Sequence, residues 1–301
     1  MKTIDFGQKI NNRLRLCLGY FDSLHLAHRG IINAAIADAE HYGGVSAALT
    51  YGDNFFGILG RKQGLVYTLG ERIELLASIS PDYCIVKSFD SDFMKLSPTE
   101  FFGLFADTYD IAAIYCGTDF RFGANALGDV SLLRGLCEDR DVKLTVIGDI
   151  SLDGEKISST RIRKLIADGA ITQANVMLSD AYRIGGITVK GRGDGGRMGF
   201  ATANFKLPPE KLCPRCGVYL TSAELDGRQY KSVTNVGSKP TFGDGNIGVE
   251  THLLDYAGGE LYGRRLTVIF SDYLRDIKKF DTIDELKRQL NKDIAVRRAY
   301  D

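Results

Sequence analysis

The sequence predicts an α/β protein with two domains: an N-terminal doubly wound parallel sheet at residues 1–180, and a small antiparallel β-barrel with a closing helix at residues 181–301. In the first part, short apolar runs alternate with helical periods, which is typical of the crossover units that build a parallel sheet. After Tyr182 glycines become dense, and polar residues alternate with apolar ones as in a small barrel. A chain of 301 residues is long enough for two such domains.

The parallel sheet is predicted from five apolar runs and from two helix starts between them. The runs lie at residues 14–19, 45–51, 83–86, 111–117 and 143–147. Thr68 with Glu71, and Ser97 with Glu100, have the spacing of capping boxes, and Pro98 stands where a first helical residue belongs. Both segments are therefore expected to begin helices.

The barrel is predicted from shorter alternating runs and from the turns between them. The runs lie at residues 182–189, 218–225, 249–254 and 266–270, with glycine-containing turns at 226–227 and 258–259. After Thr282 a helical period places four apolar residues on one face: Ile283, Leu286, Leu290 and Ile294. We expect this face to pack against the core rather than against a partner.

Charge and cysteine content limit the class of protein. Lys+Arg and Asp+Glu each count 38, so the formal net charge is +0 and no long-range field attracts nucleic acid or an anionic membrane. No apolar stretch approaches the ~20 residues of a membrane-spanning helix. The N-terminus lacks an apolar signal core, and Cys17, Cys84, Cys116 and Cys137 lie in apolar runs, which together predict a cytoplasmic protein. These patterns do not indicate an oligomeric state.

Cys213 and Cys216 form a CxxC pair, which can supply half a zinc site or a redox pair. The sequence contains no second CxxC. Prolines at 208 and 209 indicate a loop, so two reduced thiols in a loop are the preferred interpretation.

A strand-to-helix turn early in the chain carries two of the four histidines. The run at 14–19 ends in Gly19, and a helical period begins near His25 and His28. Such a turn at the carboxyl edge of a parallel sheet can bind a ligand, and its backbone N–H groups can hold phosphate. Residues 157–163 open another helix, whose hydroxyls can cap it or bind phosphate. The alternative is structural, with one buried histidine, one surface histidine and an ordinary helix cap.

A third segment of interest lies in the second half. Glycines are dense at 191–200, and such a backbone can wrap closely around phosphates. Thr202 and Asn204 are two residues apart in an apparent strand, so both point to one face, where their oxygens suit a partly hydrated Mg²⁺. Glu250, in an alternating strand, could accept a hydroxyl proton. The alternative is a hairpin loop with surface polar residues and a solvated glutamate.

These motifs resemble those of a known family. The histidine turn and residues 157–163 are similar to the early H-x-G-H turn and the late (I)SS-T-x-x-R segment of the nucleotidylyltransferase superfamily. Residues 182–300 resemble a flavokinase domain throughout, and nearly the full chain resembles the bifunctional riboflavin kinase/FMN adenylyltransferases. The flavokinase-like segments are G-F-x-T-A-N at 199–204, G-V-Y at 217–219, N-V-G-S-K-P-T-F at 235–242, E-T-H-L-L-D at 250–255, L-Y-G-R-R at 261–265 and L-R-D-x-x-K-F at 274–280. The similar N-terminal segments lie at 68–72, 89–93, 97–102 and 117–123.

The resemblance implies that the chain phosphorylates riboflavin to FMN and adenylylates FMN to FAD, with ATP as co-substrate and Mg²⁺ or another divalent metal. It implies that Glu250 activates the ribityl hydroxyl, that His25 and His28 steady charge on the α-phosphate, and that Thr202 and Asn204 bind the metal–ATP complex. Residues implied to contact the phosphates of ATP are Gly19, Ser159, Thr160, Arg163, Gly191, Gly193 and Gly199. Residues implied to contact the flavin are Asp119, Phe120 and Phe122.

The departures from the family pattern concentrate in the first domain. The family turn reads G-x-F-D-G-x-H-x-G-H, and Ser23 and Ala27 replace its two inner glycines. If position 23 needs a left-handed backbone, serine costs about 1 kcal/mol. The methyl of Ala27 stands where the triphosphate should approach, and residues 51–55 replace the family segment F-D-P-H-P. One alternative is therefore a monofunctional riboflavin kinase whose first domain is a scaffold or flavin-binding module. Another is a flavin-binding carrier or regulator with both sites inactive.

Overall fold

A parallel sheet forms the centre of the first half of the chain. A computed structural model describes residues 1–52, 55–58, 60, 63–190, 202–238 and 246–300, and the chain divides into two compact units, Met1–Ser159 and Thr160–Asp301. The strands of the first unit's main sheet are β1 (Lys2–Asp5), β2 (Leu14–Leu18), β3 (Val45–Tyr51), β4 (Tyr83–Lys87), β5 (Ile111–Gly117) and β6 (Lys143–Ile147). They pair in parallel in the order β1-β4-β3-β2-β5-β6.

Helices connect these strands. They are α1 (Leu26–Tyr42), α2 (Phe55–Ile58), α3 (Leu69–Ile79), α4 (Pro98–Thr108) and α5 (Val130–Glu138), and a hairpin of β7 (Ser151–Leu152) and β8 (Glu155–Lys156) follows β6. Three of these helices begin where the sequence predicts: α1, α3 and α4. At α3 the Thr68 side chain accepts from the N–H of Glu71, and the Glu71 carboxylate accepts from the N–H of Thr68. Ser97 and Glu100 make the same reciprocal pair at α4. Both predicted capping boxes are confirmed.

The strand residues that formed the apolar runs lie in the core of the first unit. Leu14, Leu16, Leu49, Ile85 and Ile114 are each 0–1% exposed. β2 is buried along its whole length and β3 along nearly all of it. Strands covered on both faces are almost continuously apolar, and this is why the runs predict their positions closely.

A buried guanidinium ties the ends of two neighbouring strands together. Arg72 on α3 is 0% exposed. Its Nη1 donates to the carbonyl of Tyr20 at 3.0 Å and to Oγ1 of Thr50 at 2.7 Å, and its Nη2 donates to the carbonyl of Tyr51 at 2.8 Å. Because Tyr20 follows β2 and the other two residues end β3, these bonds hold the carboxyl ends of the two strands at a fixed spacing.

The second unit forms an antiparallel barrel after α6 (Ser159–Asp168) and α7 (Ile171–Asn175). Its strands are β9 (Arg183–Ile187), β10 (Thr202–Lys206), β11 (Gly217–Leu225), β12 (Arg228–Ser238), β13 (Ile247–Leu253) and β14 (Arg265–Arg275). They pair in the order β10-β13-β12-β11-β14-β9. The N–H of Val189 donates to the carbonyl of Asn204 at 2.7 Å, which joins the two edges and nearly closes the barrel. The predicted fold class is confirmed.

A chain of buried hydroxyl groups crosses the barrel interior. Thr221, Ser232, Thr234 and Thr251 are each 0% exposed. The Oγ1 of Thr221 lies 2.8 Å from Ser232 Oγ and 2.8 Å from Thr234 Oγ1, and the Thr234 oxygen lies 2.6 Å from that of Thr251. These bonds link β11, β12 and β13 side by side. A shift of one residue would break them and turn every side chain to the opposite face.

Polar contacts dock the closing helix α8 (Ile283–Ala299), which begins where predicted. Asp293 is 3% exposed and pairs with Arg275 at 2.7 Å. Arg297 is 4% exposed, and its Nε donates to a backbone carbonyl of β11 at 2.7 Å. Ile283, predicted to pack against the core, is 70% exposed, so that prediction is wrong for this residue. The contacts that fix α8 lie in its last turns, whereas Ile283 is its first residue.

The four cysteines predicted to pack as small hydrophobes are buried and free: Cys17, Cys84, Cys116 and Cys137. Burial raises the pKa of Cys84 and of Cys137 to about 11 and that of Cys116 to about 12.

Among the helices that the structure describes, none combines the length and the apolar character needed to cross a membrane.

The docking of α8 gives a first prediction. We expect Asp293→Ala to destabilise the barrel by about 3 kcal/mol, because it leaves the Arg275 guanidinium partly buried without its carboxylate. The measurement is urea unfolding of the full chain, with hydrogen exchange of α8 peptides as a local probe. Asp255→Ala is the matched control, because the Asp255–Arg298 pair is 73% and 57% exposed and contributes less than about 1 kcal/mol. Equal effects of the two substitutions would contradict the prediction.

Candidate active sites

The strand order of the first unit creates a crevice beside two of the predicted segments. From β2 the winding runs through β3 and β4 to one edge and through β5 to the other, so it reverses between β2 and β5. Ligands of such sheets bind at the carboxyl ends of the two strands where the order reverses. The turn after β2 carries His25 and His28, and the segment after β5 carries Asp119, Phe120 and Phe122. The topology therefore brings both segments to one edge of the sheet.

The backbone of the histidine turn differs from expectation at one position. Phe21 and Leu24 have φ angles of 55° and 40°, and Ser23 is not among the residues with positive φ. The hypothesis that position 23 requires a left-handed backbone is therefore wrong, and serine carries no such cost there. At Gly19 a Cβ atom would lie 2.9 Å from the ring of Phe21, so the missing side chain makes room for that ring.

His25 is a buried histidine at the start of α1. It is 7% exposed, and its Nδ1 accepts a hydrogen bond from the N–H of His28 at 3.3 Å. Burial is the main cause that lowers the pKa of His25 from 6.5 to about 4. At neutral pH the ring is therefore uncharged. Because Nδ1 accepts, the proton lies on Nε2, which can donate to an anion.

The two histidines form one stacked pair. The rings of His25 and His28 have centroids 3.6 Å apart and planes inclined by 11°. The ring of Phe21 meets His28 at 5.3 Å and 87°. Phe21, which has a positive φ, thus packs against His28. The turn and the histidine pair therefore form one packed group.

Ser159 reaches the same turn from the first residue of α6. Its Oγ lies 2.8 Å from the Oγ of Ser23, which is 0% exposed. Thr160 and Arg163 follow on α6 and belong to the second unit, where Thr160 is exposed and Arg163 is partly buried. Ser159 therefore joins this segment to the histidine turn.

A charged network links the segment after β5 to strand β8. The Nζ of Lys156 lies 2.9 Å from the Asp119 carboxylate and 2.8 Å from that of Asp149. Thr118 Oγ1 donates to Asp149 at 2.6 Å, and hydrogen bonds from Lys156 and Thr118 lower the pKa of the Asp149 carboxyl. Sequence reasoning missed Lys156 because the β7–β8 hairpin carries no recognisable motif.

The two phenylalanines predicted to contact flavin form a stacked pair. Their ring centroids are 5.6 Å apart and their planes are inclined by 14°. Phe122 is 4% exposed and packs against Phe101 at 5.2 Å, so it belongs to the core. Phe120 is only partly buried, so it is the more accessible member of the pair.

In the second unit, strand register brings the predicted acid and the predicted metal-binding residues to one face. Asn204 on β10 lies directly opposite Glu250 on β13. Opposite residues of an antiparallel pair project to the same side, with Cβ atoms about 5 Å apart. Ala203 and Thr251 are adjacent in sequence to Asn204 and Glu250, so their side chains project to the opposite face. Both are 0% exposed, inside the barrel. Thr202, Asn204 and Glu250 therefore share the outward face.

Asn235 extends this outward face and was not predicted as a site residue. It lies opposite Glu250 on β12, so the row runs Asn204, Glu250, Asn235 across three strands. The Asn235 Oδ1 atom is buried and has no hydrogen-bond partner among the residues that the structure describes. A buried acceptor beside a carboxylate is a suitable position for a ligand hydroxyl. Side chains alternate between the two faces along β12, which places positions 233, 235 and 237 on one face. This alternation is the sequence signal that could have identified Asn235.

The outward face fits a hard divalent cation. The side-chain oxygens of Thr202, Asn204 and Glu250 are hydroxyl, amide and carboxylate, a set that suits Mg²⁺ and not a soft metal. Within the described ranges, no three His, Cys, Asp or Glu side chains converge on a metal position. The glycines predicted to bind phosphate lie outside the described residues: Gly191, Gly193 and Gly199.

The CxxC thiols are free, with Cys213 partly buried and Cys216 exposed. Burial, and then the adjacent Cys216, raises the pKa of Cys213 to about 12. In the described part of the chain, no group of three metal-binding side chains includes this pair.

Two family models match the chain, one on each half. The model for FAD synthetase matches residues 7–161, and the model for riboflavin kinase matches residues 178–300. The intervening residues 162–177, with most of α6 and all of α7, are covered by neither model.

Relatives match along nearly the full length. A protein from Bacillus subtilis (strain 168) is 32% identical over 92% of this chain and 89% of its own, and one from Pseudomonas fluorescens is 31% identical over 94% and 91%. Both are described as bifunctional riboflavin kinase/FMN adenylyltransferases. A crystal structure from Streptococcus pneumoniae, described as a macrolide-efflux protein, has a TM-score of 0.87 and 26% identity, and the match covers 99% of both chains.

The burial of His25 predicts a pH dependence of stability. The folded pKa of about 4 lies below the ordinary 6.5, so the unfolded chain binds the proton more tightly. Stability contributed by the neutral ring is complete above pH 6.5 and falls as the pH drops towards 4, by about 3 kcal/mol. Urea unfolding at several pH values should show a shallower decline for His25→Asn than for the unaltered chain. The exposed His41→Asn is the control, and parallel curves for all three proteins would contradict the prediction.

Proposed function

Because this chain belongs to the family of bifunctional riboflavin kinase/FMN adenylyltransferases, we propose that the outward face of the barrel phosphorylates riboflavin and that the crevice at β2 and β5 adenylylates FMN. The chain is an ATP-dependent transferase of flavin biosynthesis with both activities. The observation that supports the kinase site most directly is the register that sets Glu250 between Asn204 and Asn235.

In the proposed kinase step, Glu250 acts as the general base. Its carboxylate accepts the proton of the terminal ribityl hydroxyl, and the oxygen attacks the γ-phosphorus of ATP. The bond from the γ-phosphorus to the β–γ bridging oxygen breaks, and FMN and ADP leave. The buried Asn235 Oδ1 is placed to accept a hydrogen bond from a neighbouring ribityl hydroxyl, which would orient the sugar chain.

Thr202 and Asn204 would hold a divalent metal, with Mg²⁺ as the expected ion, together with the phosphates of ATP. When bound, such a metal neutralises charge on the β- and γ-phosphates. Their side chains project beside Glu250, so they would position the γ-phosphate within reach of the activated hydroxyl. The resemblance adds Gly191, Gly193 and Gly199 to this proposal as phosphate-binding residues.

In the proposed adenylyl transfer, a phosphate oxygen of FMN attacks the α-phosphorus of ATP. The bond from the α-phosphorus to the α–β bridging oxygen breaks, and FAD and pyrophosphate leave without a covalent enzyme intermediate. The Nε2–H of His25 would donate to oxygens on the α-phosphorus, with His28 beside it, and the Ser159 hydroxyl would hold the pyrophosphate. Thr160 and Arg163 remain predictions from the resemblance for the same leaving group.

Flavin binding is proposed for the segment after β5, and the support is its position at the reversal of strand order. The partly buried ring of Phe120 offers a stacking surface, which the buried Phe122 supports from behind. Asp119, paired with Lys156, would contact the flavin. Gly19, at the end of β2, is proposed to lie near the phosphates. A division between functional domains at residue 180, and a cytoplasmic location, remain predictions.

The match to both family models supports two activities over a monofunctional kinase. The departures at Ser23 and Ala27 motivated the monofunctional alternative, but Ser23 lacks the backbone strain that was expected of it. Incubation of the pure protein with riboflavin, ATP and Mg²⁺ should yield both FMN and FAD. If riboflavin yields only FMN, and if FMN supplied as the starting substrate yields no FAD, the monofunctional alternative is restored.

We expect Glu250→Gln to lower the turnover of riboflavin to FMN by a factor of about 10² to 10⁴, because the amide cannot accept the hydroxyl proton. FMN-to-FAD conversion by the same protein should be unchanged, since it occurs in the other unit. Product separation after single-substrate incubations measures both. The exposed Glu224→Gln on the same barrel is the control, and full kinase turnover in Glu250→Gln would remove the proposed base.

We expect His25→Asn to lower FMN-to-FAD turnover about 10²-fold while riboflavin phosphorylation stays intact. Asparagine is a good N-cap residue, so the start of α1 should be preserved when the Nε2 donor is lost. His41→Asn, in the last turn of the same helix, is the matched control. The role assigned to His25 is excluded if the His25→Asn variant forms FAD at the normal rate.

A further inference from the structure

Two hydroxyl groups from distant parts of the first unit meet at the histidine turn. Ser23 and Ser159 are 136 positions apart in sequence, and their Oγ atoms lie 2.8 Å apart. Ser23 is 0% exposed, while Ser159, the first residue of α6, is partly exposed. The pair therefore has a buried end in the histidine turn and an accessible end at Ser159.

Each hydroxyl carries one proton, and this limits what the pair can do. If Ser159 donates to Ser23, its proton is no longer available to a ligand. If Ser23 donates to Ser159, the Ser159 proton stays available and its O–H becomes a stronger donor, because hydrogen bonds in a chain polarise one another. An anion at the accessible end selects this second arrangement.

We propose that Ser23 is a positioning residue for adenylyl transfer, whose O–H donates to Ser159 so that the Ser159 O–H points at the departing pyrophosphate. The inference rests on the proposed role of Ser159. It also assigns a purpose to a departure from the family turn, in which glycine occupies position 23. Because the backbone at 23 is not left-handed, a side chain is accepted there, and its hydroxyl bonds that of Ser159.

The test is a double-mutant cycle with Ser23→Ala, Ser159→Ala and the double variant, assayed for FMN-to-FAD conversion. We expect Ser23→Ala to raise the KM for ATP and the inhibition constant of pyrophosphate about fivefold each, the effect of one hydrogen bond. The double variant should be no worse than Ser159→Ala alone, because the two hydroxyls act as one unit. Riboflavin phosphorylation, measured on the same samples, should be unchanged.

Ser46→Ala is the matched control, since Ser46 is a 1% exposed serine of the same unit that bonds Asp82 instead. It should leave both ATP and pyrophosphate constants unchanged. Ser23→Gly is a second variant, with the residue that the family turn carries. It should show the same fivefold increases, and it provides the test if Ser23→Ala folds poorly.

The outcomes separate the inference from its premise. If Ser159→Ala leaves the ATP and pyrophosphate constants unaltered, the proposed role of Ser159 is wrong. If Ser159→Ala raises them but Ser23→Ala and Ser23→Gly do not, or if the two single effects simply add, the positioning role of Ser23 is overturned.

Discussion

Strand register in the barrel is the constraint on which the kinase face depends. Side chains alternate along a strand with a period of two, so a slip of one residue between β12 and β13 would bury Glu250 and expose Thr251. The hydroxyl bonds among Thr221, Thr234 and Thr251 hold that register from inside. Four hydrogen-bonded hydroxyls replace apolar packing there, and each is satisfied by its neighbours, so the interior accepts them at little cost. The outward row of Asn204, Glu250 and Asn235 therefore depends on the row of hydroxyl groups inside the barrel.

The sheet edge of the first unit is organised differently, by a turn and by what is packed around it. Arg72 fixes the spacing of two strand ends, and the positive φ angles of Phe21 and Leu24 turn the chain sharply into α1. The turn buries His25, and burial keeps its ring neutral. The barrel unit thus presents the carboxylate of Glu250, and the parallel-sheet unit presents the uncharged Nε2–H donor of His25.

Much of the parallel sheet could be predicted because its strands are buried on both faces and read as apolar runs. β1, at the edge, has one buried residue in four and left no such signal. β12 was missed because Ser232 and Thr234 occupy interior positions where apolar residues are expected. The pairing of Thr202, Asn204 and Glu250 followed from spacing and resemblance, whereas the contribution of Asn235 required the register. The Ser23–Ser159 contact joins residues that no local pattern relates.

The distribution of thiols has a practical consequence for attaching a probe. The four cysteines of the parallel-sheet unit are enclosed, and burial raises the pKa of Cys213 as well, so these five sulfurs are protonated and slow towards maleimides at neutral pH. Cys216 stands exposed at the entrance to β11. A single dye can therefore be coupled to the barrel unit of the unaltered chain without any engineered cysteine.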